Sequence, residues 1–193
     1  MKLFTTYIPA SIVILALGYL VLRWLYGSDY RRFGKISPMV IFCGLITFGS
    51  HAVSSYLFLD SNPEHINQGS PIFFAAAICM ATGTVLLFLS MMKLGFRKMF
   101  GVKFDSVQRT GLYLYTRNPQ VLMYILLAIG YSLLWPSWAG FLWIILLVVI
   151  CHLMVITEEE HLSRVYGDDY DRYRQATPRY IGIRKPERPP YEG

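Results

Sequence analysis

Long apolar stretches almost free of charge restrict the folds open to this chain more than any other feature. They run for roughly 16–24 residues, close to the 20 or so that a helix needs to cross the hydrocarbon core of a bilayer. Hydrophobic residues make up 54% of the chain, and they are concentrated in these stretches. The sequence therefore predicts an all-α integral membrane protein, a single domain over residues 1–193, with five transmembrane helices. The predicted spans cover residues 4–26, 38–59, 71–94, 119–135 and 137–156.

The charged residues between the stretches predict the orientation of the chain. The first loop and the third loop (about residues 95–118) are basic, whereas the second carries only acidic residues. Because basic loops remain in the cytoplasm, we expect the N-terminus outside and the C-terminus inside. The chain has a net charge of +6, and its positively charged residues flank the apolar stretches. This position favours membrane lipid headgroups over nucleic acid as a partner. The loop cations are Arg31, Arg32, Lys35, Arg97, Lys98, Lys103, Arg109 and Arg117.

The cysteine and histidine pattern predicts neither a disulfide framework nor a metal site. All three cysteines, Cys43, Cys79 and Cys151, fall inside the apolar stretches. Structural zinc sites take their ligands as closely spaced pairs, and the neighbours Cys151 and His152 have no second pair.

The segment 111–119, at the end of the third loop, has both a structural and a functional interpretation. Asn118 suits a helix N-cap and Pro119 suits the first helical turn. In the functional interpretation, the free N–H groups of that helix N-terminus attract an anion. Arg117 beside it offers a fork of donors for a carboxylate.

A run of three glutamates follows the fifth apolar stretch. The structural interpretation is a capping box, with Thr157 as the cap and Glu160 reaching back to it. That leaves Glu158 and Glu159 without a task, and acids at membrane depth are costly and usually functional. A ligand with charges of both signs would use both polar segments, and S-adenosylmethionine (SAM) fits. Its carboxylate suits Arg117, its positive groups or ribose suit Glu158 or Glu159, and its adenosine suits Tyr113 and Leu112.

Several short motifs in one order resemble the isoprenylcysteine carboxyl methyltransferases, here as a short prokaryotic type with five spans, and their relatives the phospholipid N-methyltransferases. The resemblance covers about residues 105–180. It rests on Gly111-x-Tyr113, Arg117-Asn118-Pro119, Glu158-Glu159-x-x-Leu162, Tyr166-Gly167-x-x-Tyr170-x-x-Tyr173 and Pro178-Arg179.

The resemblance implies a SAM-dependent methyltransferase whose cofactor pocket is formed on the cytoplasmic side by the third loop and a C-terminal tail helix. Residues 105–108 would border the cofactor. Arg117 and Glu158 are candidates for positioning, and the catalytic residues are unknown. The implied cofactor-binding residues are Val107, Gln108, Leu112, Tyr113, Arg117, Asn118, Pro119, Val121, Glu158 and Glu159.

At the positions that face the substrate in this family, the sequence departs from the family pattern more than at the cofactor positions. Asn118 stands where the family has histidine, Val121 replaces a tyrosine and Met123 replaces a glycine. Met154 occupies the place of a substrate-facing arginine, and Met154 and Tyr170 are the candidate substrate contacts. The resemblance implies carboxyl methylation of a prenylcysteine-like small molecule or prenylated peptide that enters from the bilayer.

Three alternatives stay open. One is N-methylation of a phospholipid or another amine. Membrane sterol reductases are similar in their C-terminal region but bind NADPH, a phosphate-rich cofactor that three successive glutamates would repel. A membrane scaffold without catalysis would need neither Arg117 nor the glutamates.

Overall fold

The computed structural model describes residues 3–59, 66–94 and 107–186, and this part of the chain is helical without strands. Helix α1 consists of four consecutive segments, of which the first and third have wider π-helical winding. A short 3-10 helix, Gly111–Leu114, precedes α4. The bounds are Leu3–Tyr7, Ile8–Gly18, Tyr19–Leu25 and Tyr26–Phe33 for α1, Pro38–Phe58 for α2, Pro71–Leu94 for α3, Pro119–Leu133 for α4, Trp138–Tyr166 for α5 and Asp168–Ala176 for α6.

Four of these helices, α1, α2, α3 and α5, are long and apolar enough to cross a membrane. The chain is therefore an integral membrane protein. Helix α4 has 15 residues, and at about 1.5 Å per residue it reaches only about 22 Å of the roughly 30 Å hydrocarbon core. The count of five spans and the orientation of the termini stay predictions.

Helix α5 does not end where the fifth apolar stretch ends. It continues through the glutamates to Tyr166, and the chain turns back at Gly167, whose φ of 51° suits glycine. The capping-box interpretation is therefore wrong, because Thr157 lies inside α5 and its hydroxyl donates to the Leu153 carbonyl at 3.0 Å. Glu160 instead accepts two 2.7 Å hydrogen bonds from Arg23 of α1.

Helix α5 is the central element of the described part, since it contacts α1, α2, α4 and α6. Its apolar side chains Leu147, Ile150 and Val155 are fully buried. A helix that is apolar over most of its surface is typical of a bundle core or a membrane span; α5 packs in the bundle core and is long and apolar enough to span. This central position sets the glutamates at the end of the bundle where α1 ends and α4 begins.

Helices α3 and α4 approach closely at two glycines. A Cβ on Gly83 would lie 2.7 Å from the backbone nitrogen of Leu127, and one on Gly130 would lie 2.8 Å from the Ala76 oxygen. Small residues allow helix backbones in membranes to approach in this way.

We expect Gly83→Leu to lower the free energy of unfolding by about 3 kcal/mol, because the neighbouring atoms are backbone and cannot move aside. The measurement is the thermal unfolding midpoint in detergent. Gly49→Leu is the matched control, since Gly49 is a helical glycine of α2 with no neighbour within 4 Å of its Cβ position. Equal losses for the two variants would contradict close packing at Gly83.

Candidate active site

A cavity of about 470 Å³ lies at the end of the bundle that carries the glutamates. This volume is within the range of small-molecule sites, roughly 300–1,000 Å³. Every helix of the described part contributes to its wall. The lining residues are Tyr26, Tyr30, Ile36, Ile41, Gly44, Leu45, Phe48, Leu87, Met91, Val107, Gln108, Tyr113, Arg117, Asn118, Gln120, Val121, Tyr124, Cys151, Met154, Glu158, Glu159, Leu162, Tyr170 and Tyr173.

The wall of this cavity is polar in one part and apolar in another. One stripe of α5, Cys151, Met154, Glu158 and Leu162, lines the cavity at helical spacing, so the carboxylate of Glu158 continues an otherwise apolar face. Apolar side chains of α2 and α3 complete the apolar part. The polar part is formed by the segment before α4, by the glutamates and by α6.

Glu159 is held between two arginines. Its Oε1 lies 3.2 Å from Arg117 Nη1, and its Oε2 accepts hydrogen bonds from Arg179 Nε at 3.0 Å and Nη2 at 2.8 Å. The side chains of Arg117 and Glu159 are only 8% and 6% exposed. Charges this buried need a partner, so the three residues form one structural unit. Arg117 Nη1 faces this carboxylate, whereas Nε is buried and makes no hydrogen bond among the described residues.

Glu158 differs from its neighbour. It lines the cavity, yet no hydrogen bond or ion pair to its carboxylate occurs in residues 3–59, 66–94 and 107–186. An enclosed carboxylate without a partner is unfavourable. The structure thus separates two glutamates that have equivalent interpretations in the sequence: Glu159 is paired within the protein, and Glu158 is unpaired and faces the cavity.

Two motifs that are distant in the sequence meet beside this pair. The backbone N–H of Arg117 donates to the Pro178 carbonyl at 3.0 Å. The Thr116 hydroxyl and the Asn118 amide both donate to the Arg179 carbonyl at 3.1 Å. Asn118 does precede α4, but its side chain makes no capping bond, so that part of the structural interpretation is wrong. The tail thereby holds Arg117 against the start of α4.

Three tyrosines close the polar part of the wall. Tyr113, Tyr170 and Tyr173 are buried, and the Tyr173 hydroxyl donates to the Tyr113 carbonyl at 2.8 Å. Gln120 donates to the Tyr113 hydroxyl. Burial raises the pKa of all three phenols, so they remain protonated at neutral pH.

Most residues expected at a cofactor or substrate site line this one cavity. They are Val107, Gln108, Tyr113, Arg117, Asn118, Val121, Met154, Glu158, Glu159 and Tyr170. Leu112 and Pro119 do not line it: Leu112 is half-buried in the 3-10 helix, and Pro119 is fully buried at the start of α4. Residues 105–106 lie outside the described residues.

Sequence reasoning missed the walls contributed by α1 and α2, among them Tyr26, Tyr30 and Gly44, as well as the role of Arg179. Tyr26 and Tyr30 are four residues apart and share a helix face, a signal that was available. Arg179 belongs to the Pro178-Arg179 motif, but no local pattern indicates its contact with Glu159. Apolar lining residues such as Phe48 look like any other residue of an apolar stretch, so the sequence does not indicate that they line a cavity.

A sequence model of the phospholipid methyltransferase family matches residues 71–169, about half of the chain. The matched segment contains Arg117, Glu158 and Glu159, begins at α3 and ends before Tyr170. Comparisons with curated proteins and with solved structures found no match.

Proposed function

The chain belongs to the phospholipid methyltransferase family, and we propose that it transfers the methyl group of SAM to a lipophilic acceptor within the membrane. The observation that carries this proposal is Glu158, an unpaired carboxylate in the wall of a largely apolar cavity. Such a group favours a cationic ligand. SAM supplies a sulfonium and an ammonium.

The residues around Glu158 fit the rest of this cofactor. Arg117 lines the cavity, has a buried Nε without a hydrogen bond among the described residues, and stands directly before the N-terminus of α4. Guanidinium groups and helix N-termini both favour a carboxylate. We therefore propose that Arg117 binds the carboxylate of SAM and that Glu158 faces one of its positive groups. Val107, Gln108, Tyr113 and Asn118 complete this part of the proposed site.

The apolar part of the cavity supports entry of the acceptor from the bilayer. Leu45 lines the cavity and is also 55% exposed, well inside α2. Phe48 of the same helix and Leu87 and Met91 of α3 continue that wall. A lipid tail could therefore pass from the hydrocarbon to the polar part without crossing water.

The charges of the described wall favour an amine over a carboxylate as the acceptor group. Arg117 is the only cation in this described wall, and the proposal already assigns it to the carboxylate of SAM. Met154 offers no charge where the prenylcysteine enzymes have arginine. A lipid amine is therefore our leading candidate, and the prenylcysteine carboxylate that the resemblance implies is the second. NADPH fits poorly, because its phosphates would face Glu158.

The chain's contribution to such a reaction is positioning and exclusion of water. Methyl transfer from a sulfonium is an in-line displacement that needs the acceptor atom aligned with the methyl group. Protonated tyrosines and apolar side chains enclose the site, and an enclosed site strips water from the acceptor. A carboxylate acceptor would already be ionised at neutral pH, whereas an amine must lose a proton first.

The test supplies detergent-solubilised protein with radioactive methyl-labelled SAM and a panel of prenylated thio-acids and aminophospholipids. We expect methyl transfer to a lipid amine, with a single-turnover rate that rises about tenfold per pH unit below the pKa of the amine. Methyl transfer to a thio-acid without transfer to any aminophospholipid would select the carboxylate. NADPH consumption with a sterol, without any methyl transfer, would contradict the proposal.

A further inference from the structure

The cavity wall outside the segment matched to the family contains one close contact that bears on acceptor choice. The phenol of Tyr26, on α1, packs directly against Gly44 of α2. A Cβ built on Gly44 would overlap the Tyr26 hydroxyl and lie 3.0 Å from Cζ. Both residues line the cavity, so this contact is part of its wall.

The position of Tyr26 connects the two parts of the cavity. On one side Tyr26 packs against two buried apolar clusters, which Cys43 and Ile41 of α2 also contact. On the other side it lines the same cavity as the Glu158 carboxylate. Because Leu45 directly follows Gly44, an acceptor that enters beside Leu45 meets the wall formed by Tyr26 and Gly44.

We propose that Tyr26, held against Gly44, is a size filter that determines which lipophilic acceptors reach the polar part of the cavity. This inference rests on the proposed function. The phenol is the far end of a side chain and can swing, and the space open to it is the cavity. Glycine at position 44 lets the ring pack against α2, and a larger residue there would push the ring into the path of the acceptor.

The test compares acceptors that share one head group but carry either an unbranched dodecyl tail or a bulky ring-bearing tail. Tyr26→Ala should raise the kcat/KM of the bulky acceptor relative to the dodecyl acceptor by about tenfold, the effect of a small change in an apolar pocket. Gly44→Ala should lower kcat/KM for both. Gly44→Ala combined with Tyr26→Phe should restore part of that loss, because the overlapping hydroxyl is gone.

Gly49→Ala is the matched control, a glycine of the same helix whose Cβ would meet nothing. The KM for SAM should change less than the KM for the acceptor in every variant, which a general loss of structure would not produce. An unchanged bulky-to-dodecyl ratio in Tyr26→Ala would overturn the filter. If Gly44→Ala does not fold, Tyr26→Leu provides the second test: it should also raise the kcat/KM of the bulky acceptor relative to the dodecyl acceptor, and an unchanged ratio would overturn the filter.

Failure of the filter can be distinguished from failure of the proposed function. If the wild type methylates no acceptor, the proposed function fails. The filter is then tested through the binding of a dansyl-labelled dodecylamine, read by fluorescence. Gly44→Ala should weaken this binding about tenfold and Tyr26→Phe should partly restore it in the double variant. Equal affinities in all variants would overturn the filter.

Discussion

We expect Glu158→Gln to weaken SAM binding at least tenfold while the protein stays folded. The Glu158 carboxylate lines the cavity and has no partner among the described residues. The loss of one hydrogen bond to a charged group costs about 1.5–3 kcal/mol, which corresponds to tenfold or more in the dissociation constant. Calorimetry in detergent with SAM and with S-adenosylhomocysteine measures these dissociation constants. A larger loss for SAM than for its neutral thioether analogue would place the sulfonium beside Glu158.

The neighbouring acid provides the control for this variant. Glu160 is largely exposed, is paired with Arg23 and does not line the cavity, so Glu160→Gln should bind SAM as the wild type does. The thermal midpoint of Glu158→Gln should not fall, since the replacement removes an unpaired charge from an enclosed site. Equal affinities for the two variants would show that Glu158 does not contact the cofactor.

Glu159→Ala is expected to produce the largest loss of stability of any single replacement at the site. It leaves the buried guanidinium of Arg117 without its ion pair and removes both hydrogen bonds from Arg179. Breaking a buried pair by removing one partner typically costs about 3–5 kcal/mol. The measurement is thermal or chemical unfolding in detergent without ligand.

A double variant separates the destabilising effect of the unpaired Arg117 charge from the effect of losing the Glu159 side chain itself. Arg117→Leu combined with Glu159→Ala removes both buried charges, and replacing a buried pair by apolar groups is often nearly neutral. The double variant should therefore be more stable than Glu159→Ala alone, although it should bind no SAM. If the double variant is less stable than Glu159→Ala, the unpaired charge of Arg117 is not the reason that Glu159→Ala loses stability.

Local sequence patterns were sufficient for much of the fold and for the region of the site. Charge-free stretches close to the bilayer thickness identified four helices that the structure shows to be long and apolar enough to span. The spacing of Arg117-Asn118-Pro119 and Glu158-Glu159 across an apolar hairpin was sufficient to bring these segments together, because consecutive helices joined by a short turn must pack side by side. The resemblance to methyltransferases agrees with the family match at the level of the broad family.

Helix ends and the extent of α5 were not available from the same patterns. The apolar stretch ends near residue 156, but the helix continues to Tyr166, where Arg23 pairs with Glu160 and Arg179 pairs with Glu159. These partners lie outside α5, so no local pattern could have shown which glutamate pairs with which arginine.

The sequence by itself determined that this is a helical membrane protein with a charged cluster at one end, since those properties follow from composition and spacing along the chain. Only the tertiary structure decided which glutamate is paired and which faces the cavity, because that depends on where Arg117 and Arg179 lie in space. It also decided that Tyr26 and Gly44 belong to the site. Lipid tails are as apolar as a protein core, so a residue that faces lipid and one that faces a cavity look alike in a sequence.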